Sequence, residues 1–250
     1  MKKEILLIGE SCRDVFIYCK CNRICPDIPV QVLNIVNQTE NAGMAKNVEE
    51  NLKAFTDNYD IITNDNWKLL TKTRYMHEES NHMFIRVDSD HSIIPKIKIE
   101  DIDLNYEIIM ISDYDKGFIS ESDIEYICKN HNNVFIDTKK RLGEWIENAR
   151  YIKINKKEFK NSEKYINERL LHKVINTRGS EGCYFNGKVY PVNISEIKDV
   201  SGAGDTFFAS LVYNFLKTND IESSIKYANE CASYVVKFKG VTTIKNLFKL

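Results

Sequence analysis

The stretch Asp199-Val-Ser-Gly-Ala-Gly-Asp205 has the residue types and the spacing for phosphoryl transfer to a hydroxyl. Gly202, Ala203 and Gly204 leave backbone N–H groups uncovered, so an anion can approach them. The apolar run that follows makes them the start of a helix, whose dipole adds partial positive charge there. Phe207, Phe208, Leu211, Val212 and Phe215 recur at helical spacing and bury one face. Ser201 is placed to cap the helix. Asp205 then presents a carboxylate beside the bound phosphate, where it takes the proton of an attacking alcohol. The two aspartates bracketing the glycines set this stretch apart from an ordinary glycine turn that enters a core helix.

Other residues with chemical potential are spread along the chain. Asn155-Lys-Lys-Glu158 follows a strand and reads two ways. An amide and a carboxylate there can organise magnesium-bound water around nucleotide phosphates. They can equally form a capping box, with Asn155 as cap and Glu158 three residues on. Thr177-Arg-Gly179-Ser-Glu-Gly182 ends a strand in a turn. Asp14 at a strand end accepts hydroxyl protons, and Asn47 at a helix start both donates and accepts. Both suit a sugar, and both also suit plain structural roles. Gly182-Cys-Tyr-Phe-Asn-Gly187-Lys188 imitates part of a P-loop, but Val189 stands where a Ser or Thr would meet magnesium. Asn186-Gly187 between apolar runs reads instead as a hairpin turn. Four of the seven cysteines, Cys12, Cys19, Cys21 and Cys25, lie close together without the paired spacing of a zinc knuckle. Free thiols and no zinc are expected.

Strands and helices alternate over the 250 residues, which predicts an α/β fold with a mostly parallel sheet covered on both faces. Strands are expected at Glu4–Ile8, Glu107–Ser112, Val134–Asp137, Tyr151–Ile154 and Lys173–Thr177. Helices are expected at Gly43–Leu52 and at about 120–129, 156–160, 203–217 and 221–238. Residues 14–36 and 72–87 alternate in a strand-like way and predict a small β-lid. Its apolar face would carry Phe16, Tyr18, Val30, Val32, Phe84 and Ile85. A single domain over 1–250 is expected. The net charge of −1 leaves no basic excess for nucleic acid. No apolar run reaches a membrane span, and the N-terminus runs into a strand rather than a signal-peptide core, so a cytoplasmic protein is expected.

The Asp199–Asp205 stretch resembles the D-[TV]-[TS]-G-A-G-D signature of the ribokinase-like (PfkB-type) carbohydrate kinases. Asn155–Glu158 resembles that family's N-x-x-E motif and Thr177–Gly182 its T-x-G-x-x-G turn. Gly9-Glu-Ser-Cys-Arg-Asp14, Arg23-Ile-Cys-Pro-Asp-Ile-Pro-Val30, Gly43-Met-Ala-Lys-Asn47, Phe84–Asp88, Ser112-Asp-Tyr-Asp-Lys-Gly117 and Asp137-Thr-Lys139 are similar to segments of the D-glycero-D-manno-heptose-7-phosphate kinases. The resemblance covers the chain from Ile5 to about Thr243. It implies a ribokinase-like fold and an ATP-dependent kinase acting on the anomeric hydroxyl of a heptose 7-phosphate. Kinase activity on another small sugar, or a non-catalytic sugar- or nucleotide-binding role, are the alternatives. The implied roles are Asp205 as general base and Gly202, Ala203 and Gly204 as anion hole. Thr177, Gly179, Gly182 and Asn229 would lie at the nucleotide, Asn155 and Glu158 at Mg²⁺, and Asp14, Gly43 and Asn47 at the sugar. Asp199 and Ser201 would help hold a monovalent cation such as K⁺. Lys116 reads as a phosphate or substrate contact, or as a loop lysine. A homodimer through the β-lid is implied as well. The chain departs from the pattern at Met44 and Lys46, where the branch has small residues, and in a shortened polar segment at 56–71, which trims the sheet edge.

Overall fold

The computed structural model describes residues 3–80, 82–193 and 196–244, so the expected single domain over 1–250 extends at both ends beyond the described residues. In chain order the strands and helices are β1 (Ile5–Ile8), β2 (Ser11–Ile24), β3 (Gln31–Met44), α1 (Ala45–Leu52), β4 (Tyr59–Ile62), β5 (Thr71–His77), β6 (Met83–Asp88), β7 (Ile108–Asp113), α2 (Glu121–Asn130), β8 (Val134–Thr138), β9 (Tyr151–Asn155), α3 (Lys156–Ser162), α4 (Glu168–Leu171), β10 (Val174–Thr177), β11 (Cys183–Phe185), β12 (Lys188–Tyr190), α5 (Ala203–Thr218) and α6 (Ile221–Val235).

Eight strands form one sheet in the order β12-β11-β10-β9-β8-β7-β1-β4. Pairing is parallel from β4 across to β10 and antiparallel through β11 and β12. The central strands are near-continuous Ile, Leu and Val because both faces are covered. Ile5, Leu7, Ile108 and Met110 face Val48, Phe207, Phe208 and Leu211 on one side. Leu6, Ile8, Ile109 and Ile111 face Ile124 and Ile127 on the other. Each such side chain, fully buried, contributes about 1.5–3 kcal/mol. The residues that must do chemistry therefore sit at strand ends and helix starts.

The lid is a second sheet in the order β3-β2-β5-β6, with β2 and β5 parallel. Alternation along β2 gives it two faces. Val15, Ile17 and Cys19 pack with Leu33, Tyr75 and Phe84 on one face. Phe16 shares the other face with Asp14 and lies under the Arg74 guanidinium, 5.0 Å from its ring centroid. It is 2% exposed and so does not belong to an open apolar face as expected. The apolar side chains the lid leaves in the open are Ile24, Ile28, Val30, Ile35, Val36, Met83, Ile85 and Val87.

Two further expectations need correction. β3 runs on to Met44, so Gly43 and Met44 end a strand rather than open a helix. Met44 adopts φ 60, ψ −132, which no helix tolerates, while its side chain packs in the core. The 56–71 segment contains β4 and a 3₁₀ turn at Trp67–Leu69, because pairing with β1 supplies what four residues of weak local pattern do not. The Asn186-Gly187 hairpin forms as expected, with φ of 48 and 78 joining β11 to β12.

Candidate active site

Gly202 turns the chain into α5 with φ 80, and the helix starts at Ala203. A Cβ at Gly202 would lie 2.9 Å from the Asn47 amide nitrogen, so both the positive φ and the close approach demand glycine. Ser201 does not cap: no side chain caps this helix, and the Ser201 N–H is itself donated to Asp199 Oδ1 at 2.8 Å. The left-handed turn at Gly202 takes the cap position instead. The Ala203 N–H turns back to the Val200 carbonyl at 3.3 Å, while the Gly204 and Asp205 N–H groups are left for an anion, with the helix dipole behind them.

Asp205, in the first turn of α5, is 7% exposed. Its Oδ2 accepts from Asn47 Nδ2 at 2.6 Å and its Oδ1 from the Tyr114 hydroxyl at 2.7 Å. Burial pushes its carboxyl above the usual aspartate range, and the Asn47 and Tyr114 bonds pull partly back. Tyr114 stays protonated and a donor, because burial and the neighbouring Asp205 raise its phenol well above normal.

Two cavities meet at this carboxylate. One, of about 440 Å³, is lined by Asn155, Thr177, Gly179, Gly182 and Asn229 together with Gly202, Ala203 and Gly204. The other, of about 650 Å³, is lined by Asp14, Asn47 and Ser201 and by the cations Lys72, Arg74, Arg86 and Lys116. Tyr114, Lys139, Gly202 and Asp205 line both. Asp14 is paired with Arg74 at 2.7 Å, which ties the lid's β2 to β5. Asn229 is buried rather than solvent-facing and donates to the Tyr190 carbonyl at 2.9 Å.

Of the expected residues, Gly43, Asp199 and Glu158 stand apart from the cavities. Gly43 backs Asp14: a Cβ there would lie 2.7 Å from Asp14 Oδ2. Asp199 accepts from the Ser201 and Gly240 N–H groups, at 2.8 and 3.1 Å. Asn155 and Glu158 form the capping box of α3. Glu158 also pairs with Lys139 at 2.7 Å, so both its oxygens are engaged. Among the described residues no group of three or more His, Cys, Asp or Glu is placed to hold a metal. The oxygens of Asn155 and Glu158 are thus engaged by the cap and by Lys139. The seven cysteines are unpaired, Cys12 and Cys19 being buried and Cys21 and Cys25 half-buried.

The pfkB family of carbohydrate kinases matches residues 87–246. The chain belongs to this family. The kinase is 30% identical to the bifunctional protein HldE of a Nitratiruptor species, over 97% of this chain and 63% of that one. It is 28% identical to the bifunctional protein HldE of Campylobacter curvus, over the same shares. The chain thus spans about 63% of the length of these curated relatives. Its fold is similar to that of Arabidopsis thaliana ribokinase complexed with ribose and ATP. The TM-score is 0.67 and the identity 13%, over 98% of this chain and 95% of that one. Among the described residues no helix of the kinase is long and apolar enough to cross a membrane.

The roles of four charged groups around the site are not visible in the sequence. Lys153 pairs with Asp137 at 2.6 Å, and Lys139 lies 3.6 Å from the same carboxylate. Burial opposes the Asp137 charge, but Lys139 and Lys153 outweigh it and hold the carboxyl below its usual range. Glu10 is fully buried; its Oε1 accepts from the Tyr114 and Lys116 N–H groups at 3.0 and 2.9 Å and so shapes the turn that delivers Tyr114. Burial, then Asp113, pushes its carboxyl up to about 7. A charge inside an apolar strand was the available signal for Lys153, since lysine is rarely buried without a partner. Tyr114 lies within the Ser112–Gly117 segment but has no chemistry of its own until Asp205 stands beside it.

Proposed function

We propose that the kinase transfers the γ-phosphoryl group of ATP to the anomeric hydroxyl of a sugar phosphate, with a heptose 7-phosphate as the leading acceptor. The observation that carries this reading is the place of Asp205, where an anion-binding helix start and a cation-walled cavity meet. The ATP seen with Arabidopsis ribokinase and the HldE relatives support it. The 440 Å³ cavity is read as the nucleotide site, with Thr177, Gly179, Gly182 and Asn229 along the base and ribose. Gly202, Ala203 and Gly204 receive the moving phosphoryl group. Asp205 takes the hydroxyl proton as the sugar oxygen bonds to the γ-phosphorus, and the bridging P–O bond breaks to leave ADP. Asp14, Gly43 and Asn47 are read as the sugar side. Lys72, Arg74, Arg86 and Lys116 suit the acceptor's own phosphate.

Magnesium belongs to this proposal as part of the nucleotide substrate, with Asn155 and Glu158 near it only through water. A chelator should abolish turnover, and added Mg²⁺ should restore it. A monovalent cation beside Asp199 and Ser201 belongs to the same proposal, and exchange of K⁺ for choline tests it. A single domain, a homodimer and a cytoplasmic site are likewise proposed, the dimer on the lid's exposed apolar side chains.

A second reading, another small sugar as acceptor, is favoured by Met44, which lines the acceptor cavity where the resembling branch has glycine. ATP consumption over a panel of sugars and sugar phosphates decides between them. The cation wall predicts that removing the acceptor's phosphate costs at least about tenfold in kcat/KM, the worth of one charge-assisted contact of about 1.5–3 kcal/mol. Equal use of unphosphorylated sugars would overturn the phosphate reading.

A further inference from the structure

Lys153 occupies the middle of β9, between Ile152 and Ile154, each 0% exposed, and is itself 4% exposed. Bringing a long cation into such a strand is costly, and a buried ion pair is often no better than apolar packing of the same volume. Stability therefore does not explain the Lys153–Asp137 pair. Its position suggests a use. The Lys153 ammonium lines the 440 Å³ cavity, and a Cβ on Gly204 would lie only 3.1 Å from it. An ammonium group has three donors. Among the described residues its one close partner is Asp137 Oδ2, at 2.6 Å. Lys139 makes its own close bond to Glu158, at 2.7 Å, and only flanks Asp137.

We propose that Lys153 is a phosphate-contacting catalytic lysine: Asp137 holds its ammonium against Gly204, and its remaining N–H donors meet the nucleotide phosphates at the start of α5. The inference rests on the reading of this cavity as the nucleotide site. It gives the kinase a fixed positive charge beside the nucleotide phosphates. The absence of any side chain at Gly204 is what lets the ammonium and the backbone N–H groups face one anion. Such a preorganised charge acts most on the phosphoryl group as its bonds rearrange.

The test is calorimetric binding of ADP and of adenosine to the full chain, in the wild type, in Lys153→Met and in the double variant Asp137→Asn with Lys153→Met. The double variant leaves no unpaired buried carboxylate and serves if the single variant fails to fold. ADP affinity should fall roughly tenfold or more in both variants, as for loss of a charge-assisted bond, with adenosine affinity unchanged. Turnover should fall about 10²–10³-fold, the usual cost of removing one preorganised donor. Lys153→Arg should retain part of both. ADP affinity at the wild-type level in the double variant would overturn the proposal and reduce Lys153 to the partner of Asp137. Equal losses for ADP and adenosine would overturn it as well. Failure of the wild type to bind ADP at all would instead remove the nucleotide reading, and this proposal with it.

Discussion

As the proposed base, Asp205 works only if its carboxylate is ionised, and its surroundings decide at what pH that holds. Burial raises the carboxyl, whereas the donors Asn47 and Tyr114 lower it. The base form is therefore lost as pH falls through a value above that of an ordinary aspartate. Removing the Tyr114 hydroxyl takes away a bond to the ionised form, so in Tyr114→Phe the acidic limb of the kcat profile should move to higher pH. A limb that stays in place or moves lower would remove Tyr114 from the control of Asp205. Glu10 offers a second titration. Its folded carboxyl sits at about 7, above the ordinary glutamate value of 4.5. A raised carboxyl gives stability that is complete below the unfolded value and is lost as pH rises through the folded one. Relative to Glu10→Gln, the wild type should therefore lose up to about 3 kcal/mol between pH 4.5 and 8. Chemical denaturation of both proteins at about pH 5 and about pH 8 checks this, and an unchanged difference would refute it. At this scale the grouping of the glycines and Asp205 at one helix start is legible in the sequence, because it is local in the chain. The roles of Tyr114, Glu10, Asp137 and Lys153 are not, since their meaning lies in contacts across 91, 104 and 16 residues.

The helices flanking the site were legible because their apolar faces repeat every turn, and α5 and α6 begin within a residue or so of where that pattern places them. The junction of β3 and α1 was not. Gly43–Leu52 has a helical composition, but pairing of Gly43 with Cys12 and of Met44 with Ser11 extends the strand by two residues. Met44 then takes a positive φ that costs about 1–3 kcal/mol for a non-glycine residue, while its side chain, 2% exposed, contributes packing worth about 2–5 kcal/mol. Packing outweighs strain, so both Met44→Gly and Met44→Ala should destabilise. Alanine loses the packing and keeps the strain. Met44→Gly should therefore be the more stable of the two, the reverse of their usual order. Thermal unfolding with alanine ahead of glycine would show that the junction stores no strain. Edge strand β4 was missed for a related reason: its four residues are strand only by virtue of β1 beside them.

For the whole molecule the main sheet supplies rigidity, and the lid supplies Asp14, Lys72, Arg74 and Arg86 to the wall of the 650 Å³ cavity. The alternation of strands and helices made this architecture readable, as did the two lid segments. The assignment of lid faces was readable only in part, because Phe16 is covered by Arg74 of the neighbouring β5, a pairing that local alternation does not show. The lid's exposed Ile, Val and Met side chains predict a homodimer. Sedimentation should give twice the chain mass at micromolar concentration, and replacing Ile85 and Val87 with serine should shift it toward monomer. A fully active monomer would show that the lid needs no partner. The decisive measurement follows the phosphoryl group itself. With heptose 7-phosphate, ATP and Mg²⁺, phosphorus NMR should show a new anomeric phosphate growing as ATP becomes ADP. In Asp205→Ala that growth should slow by roughly 10²–10⁴ while ATP still binds. ATP loss at the same rate without acceptor, or a product formed at the wild-type rate by Asp205→Ala, would contradict the transfer of phosphate at Asp205.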